Sequence, residues 1–281
     1  MNWIDKLGVE DIYINDKKRP VLIAGPCVIE SKEQVFYIAE TLKKICEKLE
    51  IPYIFKASYD KANRTSHLSF RGVGIDKGLE ILSEVKNKYN IPIISDVHNL
   101  DEVDPAAEIL DIIQIPAFLC RQTDLIIKAA KTGKVINIKK GQFVAPEDMG
   151  KVVEKVREQG NNKVLLTERG TFFGYQNLVN DFRGLRIMGK FAPVLYDATH
   201  SVQMPGGKGD YSGGDRSFIP ILTRAAIAAG IYGIFMEIHP NPDEALSDRH
   251  TQFPLDSAEE FLTECIKLYE LVETFQKWDL N

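Results

Sequence analysis

Short apolar runs rich in β-branched residues alternate with longer runs of helical periodicity along nearly the whole chain. The short runs fall at 21–26, 53–57, 91–97, 112–116, 135–139, 164–168, 194–199 and 233–238. Most are continuously apolar, as expected of parallel strands buried on both faces. Between the first two, Val35, Ile38, Ala39, Leu42, Ile45, Cys46 and Leu49 recur at helical spacing over 34–49. Similar patterns cover 77–88, 124–130, 146–159 and 219–230, with a weaker one at 104–110 and a closing helix at 257–275. Eight β–α units in one chain predict a (β/α)₈ TIM barrel. A doubly wound sheet is the alternative, but Gly25-Pro26-Cys27 after the first strand is not the glycine-rich phosphate turn of that fold. Residues 9–20 read as an N-terminal β-hairpin arm ahead of the repeat. No linker or low-complexity stretch divides the remainder, so a single barrel domain spanning 1–281 is expected.

Composition changes this picture little. The formal net charge of −5 argues against non-specific nucleic-acid or membrane-surface binding, which needs a basic face. It leaves small anionic substrates open, because a local cluster decides those. No apolar run approaches bilayer length, and the N-terminus lacks the basic-then-apolar order of a signal peptide. The four cysteines are widely spaced, so reduced thiols in a cytoplasm are expected. Cys46 and Cys265 fall on apolar helical stripes and read as core, whereas Cys27 does not.

The strand ends carry the chemistry. In a barrel they converge on one mouth. In order they supply Cys27, Lys56 with Lys61, Asp96 with His98, Gln114, Lys139 with Lys140, Arg169, Asp197 with His200, and Glu237 with His239. Lys56, Lys61, Arg64, Lys139 and Arg169 form a cationic subset suited to phosphate and carboxylate oxygens. The loop from Phe55 to Ser66 reads either as an anion site or as a solvated turn. Any one lysine could simply snorkel into water. A second subset is Cys27, His200, Glu237 and Asp248. Thiolate, imidazole and two carboxylates suit Zn²⁺, Fe²⁺ or Mn²⁺ rather than Ca²⁺ or Mg²⁺. Their scattered spacing equally allows Cys27 to be a buried apolar residue. The glycine-rich stretch 204–216 reads as a mobile lid or a merely floppy loop.

Several motifs bear a resemblance to a known family. They include Ala24-Gly25-Pro26-Cys27 with Glu30-Ser31, Lys61-Ala62-Asn63-Arg64-Thr65-Ser66, Ile115 to Asp124, and Asn137-Ile138-Lys139-Lys140-Gly141-Gln142. Glu168-Arg169-Gly170, Phe173-Gly174-Tyr175, Asp197-Ala198-Thr199-His200 and Glu237-Ile238-His239-Pro240 complete the set. Together they resemble the synthases that condense phosphoenolpyruvate with a sugar aldehyde phosphate, and in particular the KDO-8-phosphate synthase branch. The resemblance covers nearly the whole chain.

It implies a TIM barrel with an N-terminal hairpin, commonly a homotetramer. The implied reaction joins phosphoenolpyruvate to D-arabinose 5-phosphate for lipopolysaccharide synthesis in the cytoplasm. By motif, Lys61, Lys139 and Arg169 would hold phosphoenolpyruvate, supported by Lys56, Ser58 and Gln114. Asn63, Arg64 and Thr65 would take the sugar phosphate, with Asp96 near its hydroxyls and Arg121 reaching in from a neighbouring subunit. Cys27 stands where the metal-independent relatives carry Asn. The resemblance therefore implies a metal held by Cys27, His200, Glu237 and Asp248, with His200 more a ligand than a free base.

Three rivals remain at this level. A DAHP synthase would use erythrose 4-phosphate, but its acceptor loop typically reads Lys-Pro-Arg-Thr, whereas Ala62-Asn63 stands here. A Schiff-base aldolase would use Lys139, and a non-catalytic phosphosugar-binding barrel would need only the cations.

Overall fold

The computed structural model describes residues 19–62, 69–172, 174–208 and 211–275. Seven parallel strands follow one another: β1 (Val21–Gly25), β2 (Tyr53–Lys56), β3 (Ile93–Asp96), β4 (Ile112–Ile115), β5 (Val135–Lys139), β6 (Val164–Glu168) and β7 (Val194–Asp197). An antiparallel hairpin comes next, β8 (Gln203–Lys208) with β9 (Tyr211–Gly214). Strand β10 (Gly233–His239) then pairs in parallel with both β7 and β1 and closes an eight-strand barrel. A short β11 (Phe253–Pro254) pairs in parallel with the end of β10. The expected N-terminal hairpin lies, apart from its last two residues, outside the described residues.

Helices cover the outside: α1 (Lys32–Leu49), α2 (Ile75–Tyr89), α3 (Leu100–Ile109), α4 (Thr123–Lys131), α5 (Met149–Arg157), α6 (Arg183–Met188), α7 (Ile219–Ala229) and α8 (Ala258–Glu273). Local chemistry sets their ends. Ser31 Oγ accepts from Gln34 N–H at 3.1 Å and starts α1. Asn99 Oδ1 accepts from the Asp101 and Glu102 amides, so α3 begins a turn earlier than the expected 104–110 and carries Pro105 inside it. Helix α6 was not expected: it is short, contains Gly184, and offers too few positions for a period to show. No helix among the described residues is long and apolar enough to cross a membrane.

The strand alternation builds two cores. Outward residues pack under the helices, whose own buried faces include Cys46 on α1 and Cys265 on α8. Inward residues Val21, Ile23, Ile54, Ile94, Ile112, Val135, Leu165, Leu195 and Phe235 fill the barrel floor. Two residues further along, the same strands place Lys56, Asp96, Gln114, Asn137, Thr167, Asp197 and Glu237, all buried. Because side chains alternate with period two, the apolar floor and this polar layer share one face. Gly25 closes the layer where the chain is tightest. A Cβ there would lie 1.9 Å from the Lys56 carbonyl oxygen, so only glycine fits.

Leu165 is fully buried in the floor. Leu165→Ala is expected to cost about 2–5 kcal/mol through the cavity it leaves. A thermal unfolding midpoint equal to the wild type would show that this layer is not packed as described.

Candidate active site

Three strand ends and one loop assemble the sulfur-containing group. Cys27 follows β1, Glu237 lies on β10, and Asp248 sits in the loop beyond β10. One ligand atom from each lies within 4.8 Å of the other two. His200, just past β7, is not in that trio but borders it. Its Nε2 is 3.6 Å from Glu237 Oε2 and 3.8 Å from Asp248 Oδ2. Asp197 explains why this nitrogen faces the trio. Its Oδ2 lies 2.8 Å from His200 Nδ1, and its Oδ1 accepts from the His200 backbone N–H at 2.9 Å. With Nδ1–H donated to Asp197, the Nε2 lone pair is free for a ligand.

The trio fits a divalent ion on its own geometry. Glu237 Oε2 is buried and finds no hydrogen-bond partner among the described residues. Asp248 adopts a positive φ of 46°, and its Oδ2 lies 3.6 Å from Cys27 Sγ. Burial and the neighbouring Glu237 hold the Cys27 proton on well above the usual thiol range, so an unliganded Cys27 is a neutral thiol. Ser247 Oγ lies 2.8 Å from the same sulfur. Ser247 was not expected at the site, and nothing in its Ala-Leu-Ser-Asp surroundings signals it.

The cations gather against the same buried carboxylates. Lys56 Nζ donates to Glu237 Oε1 at 2.5 Å and to the Cys27 carbonyl at 2.8 Å. Lys61 Nζ reaches the same carboxylate oxygen at 3.3 Å. Burial works against the charge of Lys61, but the acidic groups around it, the Glu237, Asp96 and Asp248 carboxylates among them, outweigh it and raise its pKa well above normal. Lys139 Nζ pairs with Asp197 Oδ2 at 2.7 Å and stands 3.7 Å above the Phe235 ring. Arg169 is buried and donates through Nη2 to Gln203 Oε1 at 2.5 Å. Its Nη1 is buried with no partner among the described residues. A buried guanidinium N–H left unmade is expensive, and an anion satisfies it.

Asp96 accepts from Ser58 Oγ and from Gln114 Nε2. Sequence reading thus placed Lys56, Ser58, Lys61, Asp96, Gln114, Lys139, Arg169, Cys27, His200, Glu237 and Asp248 at one end of the barrel, and the structure describes all of them there. Asn63, Arg64 and Thr65 lie outside the described residues. Arg121 is exposed on the loop after β4. Asn137 and Thr167 were missed. Their signal was available, since each is a polar residue at an inward position of an otherwise apolar strand. Gln203, which touches both Arg169 and Asp248, was missed too. The stretch expected as a loose lid is in part the β8–β9 hairpin. Gly-rich strands pair through their backbones and show no apolar alternation. Gly214 is required there because a Cβ would meet Thr251 Cγ2 at 2.2 Å.

A closed parallel barrel with buried cations facing a thiol, an imidazole and two carboxylates defines an enzyme for small anionic substrates. Residues 5–274 match the DAHP synthetase I family, and the chain belongs to that family. It is 56% identical over 264 residues to the 2-dehydro-3-deoxyphosphooctonate aldolase of Desulfotalea psychrophila, covering 94% of each chain. Identity to the protein of that name from Desulfosudis oleivorans is also 56%, over 268 residues, covering 94% of this chain and 95% of the relative. The Koribacter versatilis protein of the same name is 54% identical over 272 residues, covering 96% and 98%.

The buried carboxylates set an acid limit to stability. Burial opposes ionisation of Asp197, Asp96 and Glu237, yet all three are held below the usual range. His200 and Lys139 do this for Asp197, and Lys56 and Lys61 for the other two. A carboxyl whose folded pKa lies below its unfolded one stabilises the fold above about pH 4, and that contribution is lost as the pH falls further. Metal-free protein is therefore expected to lose urea resistance steeply below about pH 4. Asp197→Asn should start less stable and decline with a shallower slope; parallel slopes would contradict the assigned pairing.

Proposed function

We propose that this enzyme condenses phosphoenolpyruvate with D-arabinose 5-phosphate and water. The products are 3-deoxy-D-manno-octulosonate 8-phosphate and inorganic phosphate, and the path leads to lipopolysaccharide. The single supporting observation in the structure is the buried Arg169 Nη1, which has no hydrogen-bond partner among the described residues. The relatives' shared name points to the same product.

Lys61, Lys139 and Arg169 hold the phosphate and carboxylate of phosphoenolpyruvate, with Lys56, Ser58 and Gln114 supporting them. C3 of phosphoenolpyruvate attacks the aldehyde carbon of the sugar, the carbonyl π pair moves to its oxygen, which takes a proton, and the new C–C bond leaves positive character at C2. Water adds at C2 and loses a proton. The bond from C2 to the phosphate oxygen then breaks as the C2 hydroxyl gives up its proton and becomes the ketone, and phosphate departs with the electron pair. Fixed cations stabilise the charge that grows on the leaving phosphate, at no reorganisation cost during the step. Asn63, Arg64 and Thr65 grip the sugar phosphate, and Asp96 faces its hydroxyls. Arg121 reaches the site from a second copy in a homotetramer, which suits its exposure.

Cys27, His200, Glu237 and Asp248 would hold a divalent transition ion such as Zn²⁺, Fe²⁺ or Mn²⁺. When bound, the ion supplies Lewis acidity at the mouth, for the aldehyde oxygen or for water. The whole chain works as one barrel domain in the cytoplasm.

The acceptor decides the assignment. Phosphate release from phosphoenolpyruvate is expected with arabinose 5-phosphate and not with erythrose 4-phosphate. The reverse preference would make the enzyme a DAHP synthase. Borohydride trapping of substrate on Lys139 would instead favour a Schiff-base aldolase.

A strong chelator is expected to abolish turnover, with added Mn²⁺ or Zn²⁺ restoring it in part. Cys27→Asn should retain partial activity that the chelator does not touch. Undiminished activity of metal-stripped wild type would remove the metal from the mechanism.

A further inference from the structure

A single directed chain of hydrogen bonds crosses five adjacent strand ends inside the barrel. Thr167 Oγ1 on β6 donates to Asn137 Oδ1 on β5 at 2.8 Å. Asn137 Nδ2 donates to Gln114 Oε1 on β4 at 2.8 Å. Gln114 Nε2 donates to Asp96 Oδ1 at the end of β3, and Ser58 Oγ, just past β2, donates to Asp96 Oδ2. Asp96 is directly opposite Gln114 in the sheet, and Gln114 is directly opposite Asn137.

The direction of the chain is fixed from one end. An ionised carboxylate only accepts. Gln114 must therefore turn its NH₂ to Asp96 and its oxygen to Asn137. Asn137 must then turn its NH₂ to Gln114 and its oxygen to Thr167, whose hydroxyl has to donate. All five side chains are buried. Reversing any member would face donor to donor or acceptor to acceptor in a region closed to water, which costs far more than an exposed mismatch.

We propose that Asn137 and Thr167 are positioning residues for the acceptor sugar. They act through Gln114 to hold the Asp96 carboxylate in one rotamer. Neither has to touch substrate. With Ser58 and Gln114 each donating to a different Asp96 oxygen, the carboxylate is held in one orientation at the end of β3. Polyol hydroxyls are recognised by such an immobile acceptor, because only one arrangement of hydroxyls matches it. The phosphate and carboxylate of phosphoenolpyruvate are held by Lys61, Lys139 and Arg169, which lie outside the chain; Ser58 and Gln114 support that substrate too, so the sugar is the substrate expected to lose more. The inference rests on the proposed reaction and assigns the discrimination of its sugar to the polar belt.

Steady-state kinetics of Thr167→Val, Thr167→Ser and Asn137→Asp, each confirmed folded by circular dichroism and its thermal midpoint, separate the possibilities. Thr167→Val removes the terminal donor at nearly constant volume. It should raise KM for arabinose 5-phosphate by about tenfold and KM for phosphoenolpyruvate distinctly less. Thr167→Ser restores the donor and should restore the KM. Asn137→Asp keeps the shape but faces an acceptor to Gln114 Oε1, and should impair the sugar KM at least as strongly. Unchanged sugar KM in the folded Thr167→Val and Asn137→Asp proteins, or equal rises for both substrates, would overturn the inference. If Thr167→Val does not fold, Asn137→Asp alone decides in the same way. Wild-type enzyme that fails to turn over arabinose 5-phosphate would sink the proposed reaction itself, a result distinct from either.

Discussion

Burying charge inside a barrel is tolerable only if each charge meets its opposite, and the Lys56–Glu237 pair is where this molecule meets that demand. Both side chains are about 1% exposed. Removing one partner of such a pair typically costs about 3–5 kcal/mol, because the other is left charged and dry. Lys56 also donates to the Cys27 carbonyl, so the same ammonium ties β10 to the residue that follows β1. Barrel closure and the placement of the thiol are thus one electrostatic arrangement.

The polar layer is nearly, but not wholly, self-sufficient. Asp197 is satisfied by Lys139, His200 and Thr199. Asp96 is satisfied by Ser58 and Gln114. Of the site residues described, Glu237 and Arg169 each keep one buried atom with no hydrogen-bond partner among the described residues, Oε2 and Nη1 respectively. One is an acceptor and the other a donor. An added cation suits the first and an added anion the second. The protein's own pairing therefore leaves openings of opposite sign in one mouth, which is what a metal and a phosphorylated acid require.

Rigidity follows from the same layers. The floor is close-packed with branched and aromatic side chains, and the belt above it is locked by directed hydrogen bonds. Function then sits on strand ends that cannot drift, while the loops beyond them supply Asp248 and the β8–β9 hairpin. Gln203 spans the two regimes, since it accepts from Arg169 and donates to Asp248.

Period and composition alone determined the eight strands, most of the helices and the set of ionisable strand ends, because burial on both faces writes itself as a continuous apolar run. Helix α6 and the β8–β9 hairpin were not legible: one is too short for a period, and the other pairs through backbone rather than side chains. The early start of α3 turned on Asn99 capping it, a contact that Pro105 obscured. Asn137 and Thr167 stood in plain view as polar letters in apolar strands. Their meaning waited on register, since only strand pairing reveals that Thr167, Asn137, Gln114 and Asp96 follow one another across the sheet. Which ligand atoms converge, which nitrogen of His200 faces them, and which polar groups go unpaired were decided by tertiary structure. Those are distances between residues far apart along the chain, and closure of the barrel is what sets them.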